Sequence, residues 1–266
     1  MGCPKTLLVL GHPGHELRVW QWLCDEKPVV CILTDGSGGS GTPRLNVTLE
    51  LLKKAGALLC DDFEPVTDAR IYQAILSHDM DFFLKTTAQI RDLLVDGSFE
   101  AVVGDGSEGY NPTHDVCRLM IDAASASAAL GGHPVLNYAF PLMGHPRGIH
   151  PSDHDKCVNL SESQWQNKID LIVGYGTQAG GMLDAEVADT FDRFGKQAFQ
   201  QEWLFLTQPS GKEFVPVQEK PFYESHGEKR VAEGAYRYVI RYSEHIDPIR
   251  QALLQWANGT TELSFK

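Results

Sequence analysis

Two histidines share one short turn near the start of the chain. His12 and His15 are three residues apart and directly follow the apolar run Thr6–Leu10. At this spacing both imidazoles can converge on one ion, and imidazole is the commonest metal ligand among side chains. The chain has 10 histidines, and two of them in one turn also fit a surface or helix-capping role. The pair alone therefore leaves a metal site and a structural role open.

A third histidine occupies a similar place later in the chain. Residues 99–103 form another apolar run, which leads into the polar loop 104–115 that contains His114. If two parallel strands are neighbours, the loops at their carboxyl ends meet at one edge of the sheet. Three imidazoles from two such loops would leave a fourth position for water, as in catalytic zinc sites. The sequence thus predicts one zinc ion bound by His12, His15 and His114.

Alternating apolar strands and amphipathic helices must position these histidines. The pattern predicts an α/β fold with a Rossmann-like, mostly parallel sheet flanked by helices and a helical C-terminal extension. For 266 residues we expect a single domain, residues 1–266, with a core at about 5–160 and the extension at about 161–266. The expected strands lie near residues 5–10, 28–34, 100–103 and 134–140. The expected helices of the extension are 165–173, 183–199, 231–244 and 248–256.

The acidic composition limits the partners of the chain. A formal net charge of −12 argues against non-specific binding of nucleic acid or anionic membranes. No apolar run reaches membrane-spanning length and no signal-type leader precedes the first strand, so a cytoplasmic protein is expected. Six scattered cysteines without a C-x-x-C pair indicate neither a disulfide framework nor a cysteine zinc site. A small-molecule substrate is therefore the expected partner, and a homo-oligomer stays open.

Two short motifs carry a resemblance to a known family. They read His12-Pro13-Gly14-His15-Glu16 and Asn111-Pro112-Thr113-His114. Residues 5–130 resemble the LmbE-like, or PIG-L-like, zinc-dependent N-acetylglucosamine-type deacetylases, whose motifs are His-Pro-Asp-Asp-Glu and His-Pro-Asp-His. The resemblance implies that His12 and His114 are zinc ligands and that His15 replaces an aspartate ligand. It also implies hydrolysis of the amide of an N-acyl, amino-sugar-like small molecule.

The motifs differ from the family pattern at the catalytic positions. Gly14 stands where the family has its general base, and Asn111 stands where it has an acid-supplying histidine. An asparagine can hydrogen-bond an oxyanion but cannot shuttle a proton. Either a carboxylate elsewhere, with Glu108 as the first choice, serves as the base, or the natural reaction has a better leaving group than an amine. Gly14→Asp is expected to restore the family's own base. The candidate carboxylates are Glu108, Asp105 and Glu16.

Further candidates for substrate contacts follow the predicted strands. Arg44 occupies the place of a substrate-binding arginine in the family, and Asp35 and Tyr110 lie in loops that follow two of the predicted strands. The glycine-rich loop 36–41 either closes over a ligand or connects two elements. The loop 141–152 contains further basic residues, and it either lines the rim of the pocket or lies at the surface.

Three functions remain open at this stage. In the first, the chain is a metal hydrolase with a non-standard general base. In the second, it is a degenerate family member that binds a metal or a sugar-like ligand without turnover. A third, weaker alternative takes the glycines of the first turn and of the loop 36–41 as phosphate cradles of a nucleotide-dependent enzyme, although no Walker-type lysine follows either cluster.

Overall fold

The computed structural model describes residues 5–38, 41–148, 151–179, 181, 183–207 and 220–259. In these ranges the chain forms a seven-stranded, mostly parallel sheet with helices on both faces, which confirms the predicted α/β class. Residues 39–40 of the glycine-rich loop and His150 of the loop 141–152 lie outside the described residues. None of the helices within them is long and apolar enough to cross a membrane.

The elements follow one another along the chain as strands, helices and short turns. The strands are β1 (Thr6–Leu10), β2 (Val29–Ile32), β3 (Leu58–Leu59), β4 (Ala101–Asp105), β5 (Leu136–Phe140), β6 (Lys156–Asn159) and β7 (Gln201–Leu206). The helices are α1 (Trp20–Glu26), α2 (Leu45–Ala55), α3 (Asp68–Ser77), α4 (Met80–Asp96), α5 (Pro112–Leu130), α6 (Glu162–Gln178), α7 (Asp184–Phe194), α8 (Phe222–Ala232) and α9 (Asp247–Ala257). Short 3-10 helices span His15–Val19 and Lys196–Gln200, and a π-helical turn spans Tyr242–Ile246.

The strand order places one crevice at the middle of the sheet. The order is β3-β2-β1-β4-β5-β7-β6. Strands β1 to β5 run parallel, whereas β7 pairs antiparallel with β5 and β6 pairs antiparallel with β7. Leu8 of β1 lies opposite Val30 on one side and Val103 on the other. The carboxyl ends of β1 and β4 therefore border the point where the strand order reverses, which is where ligands bind in open α/β sheets.

β1 is buried on both faces because its residues alternate between two cores. Leu7 and Val9 pack with residues of α3, α4, α5 and α9, whereas Leu8 and Leu10 pack with residues of α1, α2 and α6. Successive side chains of a strand point to opposite faces, so an uninterrupted apolar run fits a central strand. This packing fixes the position of the turn that follows β1.

The C-terminal extension contains helices, as expected, but the sequence pattern does not predict β7 within it or β6 directly before it. β6 and β7 continue the sheet beyond β5. The predicted helix 183–199 ends at Phe194, because Gly195 adopts φ 72° and the chain then turns towards β7. The predicted helix 231–244 is wrong, since α8 ends at Ala232 and Gly234 follows it with φ 73°. Glycine adopts a positive φ readily, and a residue with a positive φ ends a helix.

A buried ion pair ties the extension to the segment between β1 and α1. Nζ of Lys168 in α6 donates to Oε1 of Glu202 in β7 and to the carbonyl oxygen of Arg18, both at 2.7 Å. The Glu202 carboxylate also accepts the N–H groups of Gln21 and Trp22 at the start of α1, at 2.9 and 2.8 Å. Both charged side chains are at most 1% exposed. Two elements of the extension thereby hold the first βα connection in place.

Candidate metal centre and its cavity

The imidazole rings of His12, His15 and His114 cluster beyond the carboxyl ends of β1 and β4. Their centroids are 5.3 Å (His12–His15), 5.0 Å (His12–His114) and 4.6 Å (His15–His114) apart. One ligand nitrogen of each ring lies within 4.8 Å of the others. Two ligands of one zinc ion lie within about 4 Å of each other, since Zn–N bonds are about 2.0–2.1 Å long. With small side-chain rotations the three residues can hold a metal ion.

Local backbone structure brings these histidines to one edge of the sheet. Gly14 adopts φ 103° and ends the turn after β1, so that the 3-10 helix His15–Val19 begins there. Asn111 caps α5, and its side-chain oxygen accepts the N–H of Thr113 at 2.8 Å. His114 therefore stands in the first turn of α5. Because β1 and β4 are neighbouring strands, this helix start lies beside the turn after β1.

Two buried carboxylates contact the candidate ligands. Oδ2 of Asp105 lies 2.8 Å from Nδ1 of His15 and also accepts the N–H of Gly11 at 2.7 Å. Oδ1 of Asp68 lies 3.2 Å from Nε2 of His12. In many metal sites a carboxylate behind a histidine fixes the orientation of its ring. Two of the three imidazoles thus already have the supporting group that metal ligands commonly use.

The donor set fits a metal ion. Nδ1 of His12 and Nδ1 of His114 are buried and form no hydrogen bond with the residues that the structure describes. Buried polar atoms are rarely left without a partner, and a bound ion would supply one. Burial, reinforced by the neighbouring imidazoles, holds the pKa of His15 and of His114 well below the usual value of 6.5. Both rings are therefore neutral at pH 7, and the neutral ring is the form that binds metal.

Glu108, which the sequence suggests as a general base, is engaged elsewhere. Its Oε2 accepts the N–H groups of Leu142 and Met143 at 2.9 and 2.7 Å, and its Oε1 accepts the N–H of Gly144 at 2.7 Å. Oδ1 of Asp115 in turn accepts the backbone N–H of Glu108 at 3.2 Å. The Glu108 side chain does not line the cavity beside the histidines. These contacts support a role in holding the loop after β5 rather than in proton transfer.

Glu16 and Asp105, the other two carboxylates suggested as bases, lie behind the histidine turn. Oε1 of Glu16 accepts the hydroxyl of Thr48 at 2.7 Å, and its Oε2 accepts the N–H of Gly14 at 2.8 Å. Burial raises the pKa of both carboxyl groups to about 7. Neither residue lines the cavity. Their contacts support a role in holding the turn and the ring of His15.

A cavity of about 290 Å³ opens beside the three histidines. Arg44, Tyr110 and Asn111, which the sequence suggests as site residues, line this cavity. Nε of Arg44 is buried and has no hydrogen-bond partner among the described residues. Asp35 does not line it, because its Oδ1 accepts the N–H of Ser37 and its carbonyl oxygen accepts the N–H of Arg44, both at 2.9 Å. Asp35 therefore positions the segment that carries Arg44.

The cavity wall also contains polar residues that the sequence pattern does not indicate, among them Arg18, Asp68 and Tyr175. Asp68 begins α3, and its Oδ2 accepts the N–H of Gly38. Burial alone would raise the pKa of this carboxyl group, but the contact with His12 and the N–H of Gly38 lower it to about 2. Asp68 is therefore ionised at neutral pH. Asp68 begins the helix that follows β3 and lies at the same edge of the sheet as the histidines. This position after a strand is the sequence signal that could have identified Asp68 as a site residue.

Tyr175 reaches the site from α6, so only the folded chain brings it there. A Cβ atom built on Gly14 would lie 2.8 Å from Cε1 and 3.1 Å from Oη of Tyr175. The phenol ring thus occupies the space into which a side chain at position 14 would extend. Its hydroxyl is buried and has no hydrogen-bond partner in the described part of the chain.

The remainder of the cavity wall is mainly apolar. Helices α6 and α7 of the extension contribute a large part of it. The apolar side chains are Leu17, Leu142, Met143, Ile172, Leu183, Val187, Phe191 and Phe199. The loop 141–152 borders two cavities. Leu142 and Met143 line this one, whereas His145 and Arg147 line a separate one.

Comparisons with known proteins support the fold. No protein-family model and no curated protein matches the sequence. One similar solved structure is a deacetylase triple mutant involved in the teicoplanin biosynthetic pathway, with 13% identity, 76% of this chain and 97% of that chain covered and a TM-score of 0.50. Another is a deacetylase–bog complex from teicoplanin biosynthesis, with 11% identity, 77% and 99% covered and a TM-score of 0.52. At these identities the likeness shows the fold alone, and it is the deacetylase-type α/β fold that the motif resemblance implies.

Proposed function

We propose that this chain is a zinc-dependent hydrolase that cleaves the N-acyl bond of an amino-sugar-like small molecule. The observation that carries the proposal is the cluster of three imidazoles beside a cavity at the switch point of the sheet. The deacetylase activity named for proteins of similar fold supports it. The motif resemblance, which covers His12 and His114, supports it independently.

His12, His15 and His114 would hold the metal ion. A site with only imidazole nitrogens as protein donors suits zinc among the common divalent ions. When bound, zinc supplies Lewis acidity and lowers the pKa of water to about 7 in known zinc hydrolases. Asp105 would keep the ring of His15 in its binding orientation, and Asp68 would do the same for His12.

Proton transfer needs a group other than Gly14, and Asp68 is our candidate. It lines the cavity, contacts a candidate ligand and is ionised, so Oδ1 can accept a hydrogen bond from the attacking water. A carboxyl group with so low a pKa is a weak base, and turnover with an amine as leaving group should therefore be slow. Glu108, Asp105 and Glu16 would act by holding the surrounding loops.

Asn111, Arg44 and Tyr110 would contact the substrate. Oδ1 of Asn111 already accepts the N–H of Thr113, which leaves its NH₂ group to donate to the oxyanion that develops from the acyl carbonyl. The guanidinium of Arg44, whose Nε is buried without a partner among the described residues, can donate to sugar hydroxyls. Tyr110 lines the cavity, and its ring is stacked on Phe222 at a centroid distance of 4.7 Å, which supports its position in the wall.

Release of primary amine from N-acetylglucosamine and from longer N-acyl glucosamines by zinc-loaded protein tests the proposal. We expect slow but zinc-dependent turnover that is lost in His114→Ala together with the metal. Asp68→Asn should lower turnover about a hundredfold or more at saturating zinc, because general acid–base assistance is worth about 10²- to 10⁴-fold. Asp96→Asn, which changes an exposed aspartate of α4, serves as the matched control.

A binder without turnover is the second candidate. The ring of Tyr175 beside Gly14 favours it, since that ring fills the space that a base at position 14 would need. This function predicts zinc-dependent binding of N-acetylglucosamine with no amine release from any N-acyl compound. Amine release that depends on His114 would exclude it.

A further inference from the structure

Arg18 is a cation in the cavity wall that forms no ion pair with any residue the structure describes. Its guanidinium lies over the ring of Phe199, 5.3 Å from the ring centroid. Within the described ranges it forms no ion pair and its side chain donates no hydrogen bond. An arginine stacked on an aromatic ring keeps the edges of its planar fork available for an anion. The cavity therefore contains a guanidinium group that rests on an aromatic ring and has no counter-ion among the described residues.

The backbone around Arg18 is firmly anchored beside the metal site. Arg18 follows His15 by three residues in the 3-10 helix His15–Val19, and residues at this spacing lie on the same side of such a helix. The carbonyl oxygen of Arg18 accepts the buried ammonium of Lys168 at 2.7 Å. His15 and Arg18 thus face the cavity together, and the position of Arg18 does not depend on a flexible loop.

The carboxylates near Arg18 do not neutralise it. Glu108 already accepts three backbone N–H groups. Glu186 of α7 lines the same cavity, and its charge acts on Arg18 without forming an ion pair with it. Burial lowers the pKa of Arg18 to about 10, while the charges of Glu108 and Glu186 oppose this shift, so Arg18 stays charged at neutral pH. A half-buried cation of this kind gains from a ligand anion that forms hydrogen bonds with it.

We propose that Arg18 binds a carboxylate of the substrate, so that the site takes N-acylated carboxylic acids with an apolar body. The planar guanidinium can donate two parallel N–H groups to the two oxygens of a carboxylate. The apolar wall around it, including Leu17 and Phe199, favours a singly charged carboxylate over a doubly charged phosphate, whose desolvation costs more. That the ligand carries an N-acyl group rests on the proposed function. That it carries a carboxylate rests on Arg18 alone.

Binding of matched ligand pairs to the zinc-loaded protein tests the inference, and ligand-observed NMR reports both binding and any hydrolysis. N-acetylmuramic acid adds a carboxylate to the frame of N-acetylglucosamine. N-acetylphenylalanine has a carboxylate that N-acetylphenylalaninamide lacks, and the phenyl side chain gives both compounds an apolar body. We expect wild type to bind each acid at least about tenfold more tightly than its neutral partner, as a charge-assisted hydrogen-bonded pair allows.

Variants of Arg18 separate charge recognition from structure. Arg18→Met keeps an apolar stem, and it should lower affinity for the acids about tenfold or more while changing affinity for the neutral partners less than about twofold. Arg18→Lys keeps the charge but not the fork and should lie between wild type and Arg18→Met. Glu186→Gln removes the nearby negative charge and should strengthen binding of the acids only. Arg147→Met, at the separate cavity, is the matched control.

Four results would decide against the inference. They are equal binding of acid and neutral partner by wild type, equal weakening of both by Arg18→Met, no effect of Glu186→Gln on the acids, and tighter binding of N-acetylglucosamine 6-phosphate than of N-acetylmuramic acid. Hydrolysis without any carboxylate preference would overturn the inference and leave the hydrolase proposal standing. An Arg18-dependent preference without hydrolysis of any ligand would support the inference and remove the hydrolase proposal.

Discussion

The ring of Tyr175 lies where a side chain at Gly14 would have to go. A Cβ atom at this glycine would stand 2.8 Å from Cε1 and 2.9 Å from Cζ of the tyrosine. Gly14 also adopts φ 103°, a conformation that strains any residue with a Cβ atom. The absence of a side chain at position 14 and the presence of a tyrosine from the C-terminal extension therefore belong to one packing arrangement. A substitution of either residue alone therefore disturbs the packing of the other.

Gly14→Asp should fail to restore a base. The motif resemblance suggests a gain in deacetylation, but the structure argues against it. The new side chain would collide with Tyr175, and residue 14 would have a strained backbone conformation. We expect a loss of stability on the order of 1–3 kcal/mol and no increase in amine release. Thermal unfolding and hydrolysis of N-acetylglucosamine by zinc-loaded protein measure the two effects.

Gly14→Ala is the control for this substitution, because it introduces the same backbone strain without a carboxylate. Its melting temperature should fall by a similar amount. A tenfold rise in deacetylation by Gly14→Asp over both wild type and Gly14→Ala would sink the idea that the tyrosine ring closes this position.

Metal content should depend on the two histidines that come from different loops. Purified protein should contain about one equivalent of zinc, and His12→Ala or His114→Ala should lose most of it, since three ligands are needed to hold the ion. Metal analysis after dialysis measures this. His154→Ala, at an exposed position, should keep the full content. Unchanged zinc content in the first two variants would place the metal elsewhere.

Asp105→Asn should weaken zinc binding without removing it. Oδ2 of Asp105 lies 2.8 Å from Nδ1 of His15, and loss of such a supporting carboxylate costs about 10- to 100-fold in metal affinity. Competition with a chelator of known affinity gives the dissociation constant. Asp96→Asn should leave it unchanged. An affinity equal to that of wild type would mean that the Gly11 turn alone orients the ring.

The parts of the fold that short patterns determine could be predicted from the sequence. The apolar run 6–10 indicates a strand buried on both faces, and a run at 99–103 indicates a second one. Because parallel strands present their carboxyl ends at one edge, the convergence of His12, His15 and His114 follows once β1 and β4 are neighbours. That inference needs no knowledge of distant contacts. It needs only the rule that loops at the carboxyl ends of neighbouring parallel strands form the binding site.

The remaining features depend on contacts between distant parts of the chain. β7 begins with Gln201 and Glu202, polar residues that suggest no buried strand, and Glu202 is buried only because Lys168 neutralises it. Tyr175 enters the site from a helix about 160 residues after the motif it contacts. Glu108 has the residue type of a base, but its oxygens are taken up by three N–H groups of a loop that follows a different strand. Residue type alone does not predict such partners.

Glu108→Gln should change substrate binding more than proton transfer. A glutamine amide cannot accept all three N–H groups, so the segment with Leu142 and Met143 should loosen and KM should rise several-fold. The pH profile of kcat should keep its shape. If Glu108 were the general base, kcat would instead fall about a hundredfold or more and the acid limb of the profile would disappear. Steady-state kinetics across pH distinguish the two roles.

Lys168→Met should destabilise the protein and loosen the first βα connection. The substitution leaves Glu202 buried without its counter-ion, and such a loss costs about 3–5 kcal/mol, or on the order of 10 °C in Tm for a chain of this size. It also removes the donor to the carbonyl oxygen of Arg18. Lys53→Met, at an exposed position, is the matched control, and thermal unfolding is the measurement.

The double variant Lys168→Met with Glu202→Gln separates the ion pair from simple packing. It removes both charges, so no unpaired buried carboxylate remains, and it should recover part of the lost stability. It should not recover the binding preference for N-acetylmuramic acid over N-acetylglucosamine, because the donor that anchors Arg18 is still missing. If the double variant were as unstable as Lys168→Met alone, the loss would come from packing of the lysine stem and not from the uncompensated charge of Glu202.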